Sequence, residues 1–134
     1  MDKYKVVIVD DDEVALKKLS IELRKNPYFS LDGTARNGKQ GEKLITKIQP
    51  DLLFLDVEMP DMTGLDLLHD LHDNISWGMR VVFYTAYEKY MIHAIRESVF
   101  DYLLKSFEGQ ELKNILTRFM AQMETEPKKV LPIG

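Results

Sequence analysis

The fold is decided by the stretch Leu52-Leu53-Phe54-Leu55-Asp56-Val57-Glu58-Met59-Pro60. Its first four residues form an uninterrupted apolar run between two Pro-Asp pairs, which is typical of a strand buried on both faces of a parallel sheet. Asp56 follows that strand directly. A buried carboxylate is costly without a cation or donors, and open parallel sheets bind ligands at the carboxyl ends of their strands. Asp56 is therefore a candidate site residue, with simple capping of a turn as the alternative.

Length, charge and composition narrow the class of protein. The chain has 134 residues, which fits one domain with a substantial core. Its 18 basic and 22 acidic side chains give a net charge of −4, which argues against nucleic-acid binding by this part of the protein. The absence of cysteine excludes disulfides, thiol catalysis and cysteine-based zinc sites. We find no apolar run of membrane-spanning length and no signal peptide, and we expect a cytoplasmic protein.

Further strands and helices alternate along the chain. Besides the stretch before Asp56, strands are expected at Val6 to Val9, at Tyr28 to Ala35 on a sheet edge, at Val81 to Tyr84 and at Phe100 to Leu104. Helical spacing of apolar residues predicts helices over Val14 to Asn26, Asn37 to Ile48, Leu65 to Leu71, about Glu88 to Glu97, and Leu112 to Met123. Five strands alternating with five helices predict an α/β protein with a doubly wound parallel sheet.

Two parts of this pattern carry further expectations. The fourth helix is expected to face inward with Met91, Ile92, Ala94 and Ile95. After Glu124 the helical pattern fades, and the proline- and lysine-containing end of the chain is typical of a linker.

Polar residues follow four of the predicted strands. Asp10 and Asp11 follow the first, Asp56 the third, Thr85 the fourth and Lys105 the fifth. Because parallel strands end at one edge of the sheet, these side chains are expected to meet there. Carboxylates this close require a hard divalent cation, and Mg²⁺ is usually held by one or two carboxylates with water and phosphate oxygens. Such a set suits phosphoryl transfer to Asp56, although one acid of the Asp10 to Asp12 run is expected to cap the following helix.

The chain resembles the receiver domain of bacterial two-component response regulators over essentially Tyr4 to Met123. The residues that carry the resemblance are Val9-Asp10-Asp11, Leu55-Asp56 with Met59-Pro60 and Gly64, Tyr84-Thr85-Ala86, and Asp101-Tyr102-Leu103-Leu104-Lys105. The segments Phe83 to Tyr87 and Asp101 to Lys105 further resemble receivers that precede a LytTR-type DNA-binding domain. The resemblance implies a flavodoxin-like (βα)5 three-layer sandwich with sheet order 2-1-3-4-5.

The resemblance also assigns roles within the predicted pocket. Asp56 matches the phosphoacceptor, which takes its phosphoryl group from a sensor histidine kinase. Asp11 and Asp56 match direct Mg²⁺ ligands, Asp10 acts mainly through water, and the Glu58 carbonyl completes the metal set. Thr85 and Lys105 match the hydroxyl and the lysine that bind phosphoryl oxygens.

A conformational switch and an output are implied by the same resemblance. Tyr102 matches the aromatic residue that turns inward when Thr85 moves toward the phosphoryl group, which changes the surface of the fourth helix, fifth strand and fifth helix. Glu58 and Tyr87 are expected to flank the pocket and to regulate how water reaches the acyl phosphate. We expect a receiver over residues 1–124 and the start of a linker over 125–134. A DNA-binding output domain is expected after the linker, and a homodimer is expected on phosphorylation.

The chain departs from the family pattern at one position. The family follows the lysine with proline, usually across a cis bond, whereas Ser106 follows Lys105 here. A cis bond before a residue other than proline costs about 2.5–4 kcal/mol, so we expect a trans bond and a shifted loop. Lys105 is then expected to reach the pocket less well.

Other functions remain open on the sequence. A stand-alone receiver that acts through protein contacts is one alternative. A receiver of either kind, with or without an output domain, is not expected to be a turnover enzyme and would catalyse only its own phosphorylation and dephosphorylation. A Mg²⁺-dependent hydrolase is a second, although it would commonly carry an Asp where Glu58 stands. A flavodoxin-like nucleotide binder is a third, but the first strand ends in acids where a phosphate site needs uncharged donors.

Overall fold

The computed structural model describes residues 2–125 of the chain, and five strands alternate with five helices there. In chain order these elements are β1 (Tyr4–Val9), α1 (Glu13–Arg24), β2 (Phe29–Ala35), α2 (Gly38–Ile48), β3 (Leu52–Leu55), α3 (Gly64–Leu71), β4 (Arg80–Thr85), α4 (Met91–Arg96), β5 (Asp101–Leu104) and α5 (Gly109–Thr125). Short 3-10 turns follow α3 at His72–Asn74 and precede α4 at Glu88–Tyr90.

The strands form one parallel sheet of order β2-β1-β3-β4-β5, which confirms the predicted doubly wound, flavodoxin-like topology. This order makes β1 and β3 direct neighbours, with Val9 opposite Leu55. Asp10 and Asp56 are the next residues after these two strands, so both lie at the same rim. Because β4 and β5 continue the sheet beyond β3, the same rim receives Thr85 and Lys105.

Each face of the sheet carries its own hydrophobic core. Side chains alternate along β1, so that Val6 and Ile8 pack in the core with α1 and α5, while Val7 and Val9 pack in the core with α2, α3 and α4. All residues of β3 are fully buried, because helices cover both faces. This double coverage explains why the strands are continuous apolar runs in the sequence.

Polar side chains determine where the helices near the strand ends begin. Asp12 accepts hydrogen bonds from the Val14 and Ala15 N–H groups at 3.0 and 3.2 Å, so Asp12 is the residue that caps α1. Thr63 and Asp66 form a capping box at the start of α3. With Asp12 in the capping role, Asp10 and Asp11 remain available for the site at the sheet rim.

The prediction that Met91, Ile92, Ala94 and Ile95 of α4 face inward is largely wrong. Ala94 is buried, but Ile92 is 55% exposed, Ile95 is 71% exposed and Met91 is 39% exposed. The α-helix proper is only six residues long, because the first turn of the predicted segment is 3-10. A helix of fewer than two turns touches the sheet through one small residue, so the spacing of its larger apolar side chains does not report burial.

The end of the described chain differs slightly from the prediction. Helix α5 continues through Thr125, two residues beyond the predicted end of the last helix at Met123. The rest of the expected linker, residues 126–134, lies outside the described residues. Between residues 2 and 125, no helix has the length and hydrophobicity needed to cross a bilayer.

Candidate functional site

Three carboxylates converge at the rim of the sheet. Asp10, Asp11 and Asp56 each offer one oxygen, and these oxygens all lie within 4.8 Å of one another. Asp10 is fully buried and Asp56 is 4% exposed, whereas Asp11 lies toward solvent. The predicted acids therefore meet as expected, because β1 and β3 pair in register and end together.

Asp10 has one oxygen that lacks a partner. Its Oδ1 accepts hydrogen bonds from the Asp12 N–H at 2.9 Å and from Lys105 Nζ at 3.0 Å. Its Oδ2 is buried, and no hydrogen-bond donor of the described residues reaches it. A buried, unpaired carboxylate oxygen is costly, and a cation coordinated beside it would remove that cost. The donor set consists of oxygens only, which fits a hard divalent cation such as Mg²⁺.

Burial and charge act together on Asp56. Desolvation, followed by the charge of Asp10 and hydrogen bonding to it, raises the pKa of Asp56 to about 8. Lys105 and the Glu58 N–H, which donates to Asp56 Oδ1 at 3.3 Å, oppose this rise. Without a cation, the site therefore disfavours a second negative charge next to Asp10.

Lys105 connects the two buried carboxylates. Its Nζ lies 3.0 Å from Asp10 Oδ1 and 3.3 Å from Asp56 Oδ2. Burial lowers the pKa of Lys105, but the hydrogen bond to Asp10 and the charges of Asp10 and Asp56 outweigh it, so the pKa is raised overall. Lys105 is therefore a fixed cation that faces both acids.

The peptide bond between Lys105 and Ser106 is trans, as predicted from the serine at position 106, since no cis peptide bond occurs between residues 2 and 125. The expectation that Lys105 would reach the pocket less well is nevertheless wrong, as the distances to both acids show. Lys18 offers the physical reason, which the sequence did not indicate. Its Nζ donates to the Lys105 carbonyl at 2.8 Å and lies over the Phe107 ring, so α1 holds this loop in place.

Thr85 lies at the end of β4 and is 2% exposed. Its Oγ1 accepts a hydrogen bond from the Tyr87 N–H at 3.1 Å. The preceding residue, Tyr84, is fully buried on the opposite face and donates its hydroxyl to the Ala15 carbonyl at 2.9 Å. Burial raises the pKa of Tyr84 further above its usual value, so it stays a neutral donor that fixes β4 to α1 beside the site.

The backbone N–H groups of Glu58 and Tyr87 donate to the side chains of Asp56 and Thr85, and the flanking role of their own side chains stays a prediction. The carboxylate of Glu58 accepts a hydrogen bond from the Tyr90 hydroxyl and lies 3.8 Å from Lys89 Nζ. That hydrogen bond, with burial and the Glu58 charge, raises the pKa of Tyr90 to about 12. Tyr90 and Lys89 were not predicted as part of the site, because nothing in their spacing indicates a contact with the loop after β3.

Tyr102 lies opposite Phe83 on the edge strand β5. It is partly buried and packs against the core on the α4 side of the sheet. With Met91, Ala94 and Ile95 it lines a groove of about 220 Å³ between β5 and α4. The predicted switch residue therefore lies beside a short and largely exposed helix, and its movement stays a prediction.

The fold and the site together define a class of protein. Residues 6–117 match the family model described as "Response regulator receiver domain", and the chain belongs to that family. Receiver domains of this kind are parts of response regulators in two-component systems.

Individual relatives support this assignment. The chain is 34% identical over 128 residues to "Transcriptional regulatory protein BtsR" of Escherichia coli (strain K12), which covers 96% of this chain and 53% of that protein. It is 34% identical over 116 residues to an "Uncharacterized response regulatory protein" of Vibrio cholerae, which covers 87% of this chain and 48% of that protein. The chain thus spans about half the length of these relatives.

Solved structures show the same fold. The chain is similar to the REC domain of AraT, a response regulator from Geobacillus stearothermophilus, with a TM-score of 0.81, 27% identity and coverage of 93% of this chain and 98% of that one. It is also similar to the response regulatory domain of protein mrkE from Klebsiella pneumoniae, with a TM-score of 0.80, 26% identity and coverage of 90% and 98%.

Proposed function

We propose that this receiver accepts a phosphoryl group on Asp56 from the phosphohistidine of a sensor histidine kinase, with Mg²⁺ as cofactor. The observation that carries the proposal is the buried pair of Asp56 and Asp10, joined by Lys105, with one Asp10 oxygen left without a donor among residues 2–125. A pair of buried carboxylates with a single lysine is short of positive charge. A divalent cation would supply the missing positive charge, and phosphoryl transfer is a reaction that requires such a cation.

The acidic residues would hold the cation. Asp11 and Asp56 are the proposed direct ligands, Asp10 is proposed to act through water, and the Glu58 carbonyl completes the set. The buried, unpaired Oδ2 of Asp10 supports this assignment, as do the oxygens of the three acids within 4.8 Å of one another. When bound, Mg²⁺ neutralises charge on the phosphoryl oxygens and on the acids.

The reaction itself requires little covalent chemistry from the protein. An Asp56 oxygen forms a bond to phosphorus while the phosphorus–nitrogen bond of the phosphohistidine breaks, and the histidine nitrogen keeps the electron pair. Lys105 is proposed to move from Asp56 to a phosphoryl oxygen, which it can do because it is already 3.3 Å from the attacking carboxylate. Thr85 is proposed to donate its hydroxyl to a second phosphoryl oxygen.

The signal would then travel to the surface through the predicted switch. Movement of Thr85 toward the phosphoryl group draws its segment away from α4 and allows Tyr102 to turn inward. The groove beside Tyr102 and the short, largely exposed α4 support this proposal, because few contacts need to be broken there. The changed face of α4, β5 and α5 is the proposed surface for a homodimer formed on phosphorylation.

The proposed output is control of transcription. The receiver is proposed to occupy residues 1–124, followed by a linker that starts in 125–134 and leads to a DNA-binding domain of LytTR type. The name of the relative from Escherichia coli, a transcriptional regulatory protein, supports this, as does the share of about half of its length that the chain matches. The proposed location is the cytoplasm, and stand-alone action through protein contacts is the alternative.

Incubation with acetyl phosphate and Mg²⁺ tests the proposed chemistry. We expect stoichiometric addition of one phosphoryl group, followed by slow loss, and no addition to Asp56→Asn. Intact-mass spectrometry measures the modification and a phosphate-release assay measures turnover. Sustained release of phosphate in large excess over protein would instead support a hydrolase, and an unmodified wild-type protein would refute both.

A further inference from the structure

The connection between β4 and α4 contacts the loop that follows Asp56, through Tyr90 and Lys89 on one side and Glu58 on the other. On one side the Glu58 N–H donates to Asp56 Oδ1 at 3.3 Å. On the other side the Tyr87 N–H donates to Thr85 Oγ1 at 3.1 Å. Both residues therefore have their backbone on the pocket and their side chains at its opening, where the Tyr90 hydroxyl reaches the Glu58 carboxylate.

The side chains at this opening form a connected group. The rings of Tyr87 and Tyr90 pack edge to face at 6.3 Å, and Tyr90 also packs on His93 at 5.9 Å. Lys89 lies over both tyrosine rings and 3.8 Å from the Glu58 carboxylate. Glu58 and Lys89 are largely solvent-exposed, so their ion pair contributes little, and the hydrogen bond from Tyr90 is the stronger restraint on Glu58.

We propose that Tyr90 is a positioning residue of this site, whose hydroxyl holds the Glu58 carboxylate away from the water that hydrolyses the aspartyl phosphate. The inference rests on the proposed function, since it concerns the lifetime of a phosphoryl group on Asp56. In hydrolysis a water oxygen bonds to phosphorus, the bond between phosphorus and Asp56 breaks, and the Asp56 carboxylate leaves with the electron pair. The water loses a proton in that step.

Among the carboxylates outside the proposed cation site, Glu58 is proposed to take that proton if it is released. Its backbone N–H already donates to the acceptor side chain at 3.3 Å, so Glu58 carries its carboxylate on a residue that directly borders Asp56. A free carboxylate next to the attacking water is a general base and accelerates the reaction. While Tyr90 occupies that carboxylate, the proton has to go to solvent and the phosphoryl group persists.

The test measures the first-order loss of phosphate from protein phosphorylated with acetyl phosphate and Mg²⁺. Tyr90→Phe keeps the ring and its stacking on Tyr87 and His93 but lacks the hydroxyl. We expect it to lose phosphate about threefold faster or more. Addition of Tyr90→Phe to a Glu58→Gln background is expected to change nothing further, because no carboxylate remains to be released. Tyr28→Phe removes an exposed hydroxyl beyond the opposite end of the sheet and serves as the matched control.

Each outcome decides the proposal. A loss rate in Tyr90→Phe that equals or falls below that of wild type overturns it, and so does an equal acceleration in the Glu58→Gln background. Lys89→Gln removes the weaker of the two contacts, so a smaller acceleration is expected, and a slower loss of phosphate would count against the proposal. If wild-type protein takes up no phosphate, the proposed function fails, which is distinct from a normal uptake with unchanged loss in Tyr90→Phe.

Discussion

At the scale of single residues, the site is a balance of buried charge. Asp10 and Asp56 lie side by side with only Lys105 between them, and one oxygen of Asp10 has no donor among residues 2–125. Burial and the proximity of Asp10 raise the pKa of Asp56 to about 8. The two buried acids therefore lower the stability of the metal-free fold and favour binding of a cation, and such perturbed groups are often found at functional sites.

Asp56→Asn is expected to stabilise the metal-free protein in a pH-dependent manner. The pKa of Asp56 is higher in the folded than in the unfolded state, so ionisation costs stability as pH rises from about 4 to about 8. The neutral amide avoids this cost, and we expect an advantage on the order of 1–3 kcal/mol at about pH 8.5 that shrinks toward about pH 4. Urea unfolding with a chelator present measures it. An advantage of equal size at both pH values would contradict this reading of Asp56.

Part of the site could be predicted residue by residue and part could not. The positions of Asp10, Asp56, Thr85 and Lys105 could be predicted because each follows an apolar run, and the ends of parallel strands meet at one rim. The contact between Glu58 and Tyr90 could not be predicted, because it depends on how the connection after β4 folds back over the loop after β3. No periodicity in the sequence reports such a contact between two loops.

At the scale of elements, α4 differs from the other helices. It is six residues long, begins from a 3-10 turn and has no side-chain cap, whereas α1, α2 and α3 have side-chain caps. Its apolar spacing predicted an inward face, but only Ala94 is buried. The prediction failed because amphipathic spacing over so few residues does not distinguish a core face from a surface with another purpose. Helices with little packing are the elements that move in switches.

The exposure of α4 predicts different costs for the same substitution in two helices. Ile95→Ala in α4 is expected to change the free energy of unfolding by less than about 0.5 kcal/mol, because the side chain is largely in water. Ile45 in α2 packs into the same core as Ala94, so Ile45→Ala is expected to cost about 2–5 kcal/mol. Chemical denaturation of both variants checks this. Equal costs would mean that α4 is packed as the sequence pattern first indicated.

At the scale of the whole molecule, the sheet order could be predicted because five apolar runs alternate with five helical patterns. The right-handed crossover then leaves few arrangements for the strands. The contacts at this rim connect residues that follow β1, β3 and β5, so a ligand bound there is expected to stabilise the domain as a whole. The identity of an output domain could not be derived from packing within the receiver, because no receiver side chain reports the fold of a neighbouring domain.

Mg²⁺ is expected to raise the melting temperature of the wild-type domain. A ligand that binds only the folded state at about 100 times its Kd contributes about 2.7 kcal/mol, and here it would also relieve the repulsion between Asp10 and Asp56. Thermal unfolding with and without Mg²⁺ measures the shift, which should shrink in Asp11→Asn. Asp32→Asn makes the same change of charge at a position in β2 away from the site and should keep the full shift. A similar loss in both variants would point to nonspecific screening.

The central claim is that carboxylates from two strands, a hydroxyl and an ammonium meet around one divalent cation to hold a phosphoryl group on Asp56. Fluorine NMR of the protein with beryllofluoride, a phosphoryl mimic, tests it most directly. We predict bound fluoride resonances that require Mg²⁺ and disappear in Asp56→Asn. The absence of bound resonances at saturating Mg²⁺, or their persistence in Asp56→Asn, would contradict the claim.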